Sequence, residues 1–150
     1  LVGCVPTIMI LLGVFSFTYY ESCEPYQMVV ALERGVNSFL LGKIKDAIIL
    51  YSLQVIPIMA TFIFFHTYLW YIPAAIYLIF IFLHMYVVVI KYAFFEPNSK
   101  SQAAQTFAFI GLLGLFFPLF IPLVWVMSAH FYLKARSNLK IYLHDFDQRP

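Results

Sequence analysis

The chain has 150 residues, 63% hydrophobic, 20% aromatic and only 11% charged, with a net charge of +2 and a mean hydropathy of +0.89. Soluble domains average about 45–50% apolar and about 25% charged, so a soluble enzyme, a disordered tail, a collagen-like fibre and a nucleic-acid-binding domain are excluded. The small net charge implies no polyanionic partner and no nucleic acid. What remains is an all-α, polytopic membrane protein: one transmembrane domain, or a fragment of a longer chain beginning upstream of Leu1.

The charges leave three uncharged intervals, 1–20, 47–90 and 101–133. A hydrocarbon core about 30 Å thick takes roughly 20 helical residues at about 1.5 Å each. Residues 1–20 therefore predict one crossing. The interval carries no basic leader region or convincing cleavage site, so no signal peptide is expected. LVGC matches a lipoprotein box by its letters alone, with no hydrophobic region before it.

Residues 24–46 read EPYQMVVALERGVNSFLLGKIKD, too apolar for a linker and too charged for a span. Met28, Val29, Leu32, Val36, Phe39, Leu40 and Ile44 recur at helical spacing between polar residues, which predicts an amphipathic helix over about 24–42 lying at the membrane interface. Glu24-Pro25 suits its start. Such a helix either merely joins two spans or docks a cytoplasmic partner. The docking reading rests on Glu33 and Arg34, which sit where the apolar face breaks. Glu21 and Glu24, closing the first span, either pair with basic partner residues or sit in water.

The second interval, about 66 Å of helix, fits two crossings with a tight turn. HTYLWYIP, residues 66–73, is placed as that turn. Pro73 suits the start of a helix, and His66, Tyr68, Trp70 and Tyr71 make an aromatic belt. Spans over 47–66 and 72–90 follow. The third interval, about 50 Å of helix, is long for one span and short for two, and it contains Gly111, Gly114, Pro118 and Pro122. A single crossing would divide the Lys/Arg residues five to four between the two sides, whereas a bend near Pro118 puts all nine on one side. The positive-inside rule favours the bend. Residues 103–117 and 119–133 are thus expected as a re-entrant pair beside three full spans, with 134–150 as a basic cytoplasmic tail.

Cys4 and Cys23 lie about 28 Å apart across a predicted span, beyond disulfide reach. No residue with a formal charge falls inside a span, which argues against a proton relay or ion pathway. Among the few polar groups there, Gln54 and His84 are candidates to face each other across the central hairpin. The chain holds no nucleophile–base motif, phosphate loop or HExxH, so it is expected not to be an enzyme and to hold no metal or cofactor. A haem clasped between membrane helices, through His84 and His130, is the alternative for the histidines.

The order of span, amphipathic helix, hairpin, short basic loop, re-entrant pair and basic tail resembles the membrane core of an ABC-type exporter permease, of the type-2 family that exports drugs, polysaccharides and lipids. The local likeness runs through YYESCEPYQMVVALERGVNSFLLGKIKDAIIL, residues 19–50. Glu21 or Glu24 matches the acidic residue that ends a span in that family. The stretch 26–40 matches its coupling helix, and Gly42-Lys43 its Gly-Lys pair. KARSNLKIYLHDF, residues 134–146, is similar to the tails of Bacteroidetes-like permeases. Arg34-Gly35-Val36-Asn37 departs from the family's Pro-x-Ser/Thr step.

The resemblance implies a bacterial inner-membrane subunit that hydrolyses nothing itself and works with a second copy or homologous half. A cytoplasmic ATPase subunit would bind the 24–42 helix through Glu24, Glu33 and Arg34, while Lys43 anchors at the phosphates of membrane lipids. The competing reading, favoured by the aromatic content, is a structural or anchor subunit of a respiratory or other large complex, in the bacterial or mitochondrial inner membrane.

Overall fold

The computed structural model describes residues 3–20, 22–31, 35–99, 102–117 and 121–147. These residues form helices and connecting turns, with no strand among them. In chain order the helices are α1 (Cys4–Phe17), continued by a 3₁₀ turn over Thr18–Tyr20; α2 (Tyr26–Val30); and α3 (Val36–Phe65). After a 3₁₀ turn over Thr67–Leu69 come α4 (Tyr71–Ala93), α5 (Gln102–Phe116) and α6 (Ile121–Asp147). Proline falls in the first three positions of α1, α4 and α6, as Pro6, Pro73 and Pro122, where its missing N–H has no intrahelical acceptor to lose.

α4 is the hub, packed against α1, α3, α5 and α6. Its residues from Tyr86 to Ala93 are therefore buried on every side. Its neighbours each offer a stripe at helical spacing. On α3 the stripe is Val36, Leu40, Ile44, Ala47, Tyr51 and Val55. On α6 it is Val124, Ser128, Phe131, Ala135, Leu139 and Leu143. The α6 stripe continues beyond residue 134, so the expected tail is helical through Asp147, bent at Leu143 where the backbone leaves helical geometry (φ −117°, ψ 17°).

Side-chain contacts fix the directions. Gly13 abuts Phe80, and Phe17 and Tyr20 lie by His84, so α1 runs parallel to α4. α5 runs antiparallel, with Phe107 on Phe94 and Gly111 against Tyr86 and Leu83. α6 then returns parallel to α4: Trp125 stacks on Phe82, Phe131 packs on Phe94, and Asn138 bonds the carbonyls of Tyr92 and Phe95. Trp125 meets α4 at Phe82, about 16 Å from the Ala93 end, and both α5 and α6 extend at least one turn beyond that level.

α3 and α4 (with the 3₁₀ turn before α4) are long and apolar enough to cross a membrane, whereas the apolar stretch Cys4–Tyr20 is shorter. Three full crossings, expected from the charge gaps, are thus two by helix length. Leu53, Phe64 and Phe65 are 72%, 81% and 71% exposed, an apolar surface no soluble core helix would present. The expected 24–42 helix is distributed differently. α2 has only five residues, and Gly35, extended at φ −62° and ψ 153°, precedes an α3 that takes in Val36–Gly42. Val36, Phe39 and Leu40 are buried against the bundle, in one core with Val87, Ile90 and Tyr92 of α4. That burial joins these residues to α3.

Candidate functional site

One end of the bundle collects the described cations. Lys43 and Lys45 stand near the start of α3, Lys91 at the end of α4, and Lys134, Arg136 and Lys140 in the outer half of α6. The opposite end carries the aromatic turn, where Tyr68, Trp70 and Tyr71 are exposed.

Glu24 is the centre of the charged end. Pro25, at φ −63° and ψ 146°, caps α2 and holds the preceding residue in extended backbone. The Cys23 N–H donates to the Ser99 carbonyl at 3.1 Å. That bond ties the loop after α1 to the turn at 96–99, where Asn98 sits in the left-handed region (φ 62°), a conformation asparagine tolerates. So placed, the Glu24 carboxylate meets groups from two helices. Lys43 of α3 donates to Oε1 at 3.2 Å, and the Lys91 ammonium of α4 lies 3.4 Å from the same oxygen. The Tyr92 hydroxyl, 3.0 and 2.9 Å from Oε1 and Oε2, donates to the carboxylate. The Lys91 side chain is 6% exposed, that of Glu24 19% and that of Lys43 25%.

Burial pushes the Glu24 carboxyl up, but the charges of Lys91 and Lys43 and the hydrogen bonds from Tyr92 and Lys43 outweigh it, so its pKa lies below the ordinary 4.5. The group therefore remains a carboxylate near neutrality. Sequence reasoning offered Glu24 to a partner protein or to water, and Lys43 to lipid phosphates; each finds the other within the chain. Glu33 and Arg34 lie outside the described residues. Farther out, Tyr26 of α2 packs on Tyr142 of α6, so the loop is held from a third helix as well.

A second polar cluster lies deeper. His84 Nδ1 is 2.7 Å from the Phe80 carbonyl and Nε2 is 2.6 Å from Ser16 Oγ. Since a carbonyl only accepts, Nδ1 carries the hydrogen of the neutral ring and Nε2 accepts. Ser16 Oγ also lies 2.8 Å from the Gly13 carbonyl, so its single hydrogen is shared between two acceptors. Tyr51 stacks on the ring at 4.6 Å, and Phe17 sits at 4.9 Å. The partner expected for His84 was Gln54, which is exposed; α1, entering between α3 and α4, supplies Ser16 instead. Met9, Gly13, Ser16 and Tyr20 share one face of α1 at helical spacing, a signal that marks this surface in the sequence. Both ring nitrogens of His84 are engaged, and His130 is an exposed residue of α6 beside Phe131, so this arrangement does not assemble the pair as haem ligands. Among the described residues no three His, Cys, Asp or Glu side chains gather as metal ligands.

No protein-family model, curated protein or solved structure matches the chain.

Proposed function

We propose that the protein is an inner-membrane, non-catalytic permease subunit of an ATP-driven exporter, in which the segment after the first helix passes movement from a cytoplasmic ATPase to the membrane helices. One observation supports this reading above the others. The Glu24 carboxylate is bound by α3 through Lys43 and by α4 through Lys91 and Tyr92, so a displacement of the 22–31 loop pulls on both long helices. A loop that merely joined two spans would need no such tie. Glu33 and Arg34, next to this loop, are the residues assigned to the ATPase contact, and a second copy or homologous half would complete the path.

The test is native purification in mild detergent, with mass spectrometry of the co-eluting proteins and an optical spectrum. A stoichiometric ATPase subunit without a haem band is the expected result, and charge reversal at Glu33 and Arg34 together should remove it while membrane expression persists. Respiratory subunits or a Soret band would contradict the exporter and support the anchor-subunit reading.

A further inference from the structure

Between the end of α1, the start of the apolar part of α3 and the end of α4 lies a cavity of about 760 Å³, within the size range of small-molecule sites. Its wall changes character along the bundle axis. On α3, Lys43 and Asp46 are followed one turn deeper by Ala47 and Leu50; on α4, Lys91 and Tyr92 lie one turn outside Val88. The outer rim is charged and the inner wall apolar, at the depth where the long apolar helices begin and end.

Among the described residues the charges of the rim are incompletely paired. Lys91 is 4% exposed, and among the described residues its ammonium has one anionic partner, Glu24 Oε1. An ammonium carries three donors, and a buried cation with donors left over costs free energy that a second anion would recover. Lys43 likewise has that one oxygen as its anionic partner among the described residues, with the Phe39 ring 5.6 Å from its ammonium. Asp46, also on the lining, makes no hydrogen bond or ion pair among the described residues. Lys43 and Lys91 balance Glu24 and Asp46, so the described lining has no net charge. Among the described residues it carries lysine donors beyond those given to Glu24, and an exposed carboxylate, Asp46, with no ion-pair partner.

We propose that this cavity holds the headgroup of one zwitterionic glycerophospholipid, its phosphate on Lys91 and Lys43, its ammonium on Asp46, and the start of its acyl chains against Leu50 and Val88. A purely anionic lipid would meet Asp46 unfavourably, and a neutral diacylglycerol would leave the lysine donors unspent. The site requires a bilayer around the helices and is independent of any ATPase.

The full chain, purified and delipidated in mild detergent, is titrated with phosphatidylethanolamine, phosphatidylglycerol and diacylglycerol of matched acyl chains, and occupancy is read by native mass spectrometry. One phosphatidylethanolamine per chain is expected, bound at least about tenfold more tightly than diacylglycerol and several-fold more tightly than phosphatidylglycerol. Asp46→Asn should erase the preference over phosphatidylglycerol without moving the lipid-free melting temperature. Glu24→Gln with Lys91→Met, which removes both charges together and leaves Lys43 as the one lysine on the phosphate, should cut the preference for phosphatidylethanolamine over diacylglycerol severalfold. Should that pair not fold, Lys43→Met carries the same comparison with a severalfold loss. Equal binding of phosphatidylethanolamine and diacylglycerol would overturn the site, and preference for phosphatidylglycerol would overturn its zwitterionic character. Displacement of the lipid by millimolar inorganic phosphate would assign the lysines to a soluble anion instead.

Discussion

The two polar clusters of α4 sit seven residues apart, about 10 Å along one helix, yet they are built on opposite principles. The His84 cluster is closed. Ser16, the Phe80 carbonyl and the rings of Phe17, Tyr20 and Tyr51 use up what the imidazole offers, and the surrounding side chains are largely apolar. The Glu24 cluster is open: it joins α3 and α4 to the loop after α1, keeps lysine donors in reserve and borders a cavity. A polar group satisfied within the chain holds helices together. One left partly satisfied at the level of the helix ends is placed to meet something else, and on that difference the proposed lipid site rests.

The largest expected effect is at the open cluster. Glu24→Gln keeps the shape but leaves Lys91 buried without its anion, a change that costs about 3–5 kcal/mol and should lower the thermal unfolding midpoint in detergent accordingly. The same link has a pH signature. Because folding depresses the Glu24 pKa below 4.5, its contribution is complete above that value and fades as pH falls through the lower folded pKa. Unfolding midpoints measured from pH 6 downward should show this loss in the native chain and not in Glu24→Gln.

At the closed cluster the controlling residue is a glycine. A Cβ at Gly13 would run into the Phe80 ring, so Gly13→Val should overpack the α1–α4 contact at a cost of about 1–3 kcal/mol. An introduced cysteine pair reporting α1–α4 proximity would cross-link less in the variant. Ser16→Ala should cost less, about 1 kcal/mol, because His84 keeps its bond to the Phe80 carbonyl. Smallest is Tyr51→Phe. The Tyr51 hydroxyl is buried with no partner among the described residues, so its removal should be neutral or stabilising by up to about 1 kcal/mol. A clear destabilisation would mean that the hydroxyl is bonded, and that the inner cluster is larger than drawn.

Much of the fold was legible because its signals are local. Of the turn expected at residues 66–73, residues 66–70 lie between the end of α3 at Phe65 and the start of α4 at Tyr71, while Tyr71–Pro73 open α4. Aromatic side chains and Pro73 announce such a turn within a few residues. The break expected near Pro118 lies outside the described residues, between the end of α5 at Phe116 and the start of α6 at Ile121. The loop after α1 was less legible, since a helical stripe over 24–42 does not say where one helix stops; Gly35 and the burial of Val36, Phe39 and Leu40 decide that in three dimensions. Least legible were the partners. Lys91 reads as an ordinary cation at the end of a span, and only packing brings it to Glu24, 67 positions earlier. Ser16 and His84 are 68 positions apart, and the hairpin made Gln54 the nearer candidate. Glu24 itself was singled out, but toward an external partner, because sequence shows that a charge needs an opposite and not which one it finds.

A double-mutant cycle on Glu24→Gln and Lys91→Met, read as unfolding free energy in detergent, tests most directly whether this carboxylate ties the loop to the long helices. The tie predicts strong non-additivity, with the double variant more stable than the sum of the single losses implies by about 2–3 kcal/mol. Losses that add to within about 0.5 kcal/mol would mean that Glu24 and Lys91 do not depend on each other, and the link from loop to helices would be gone.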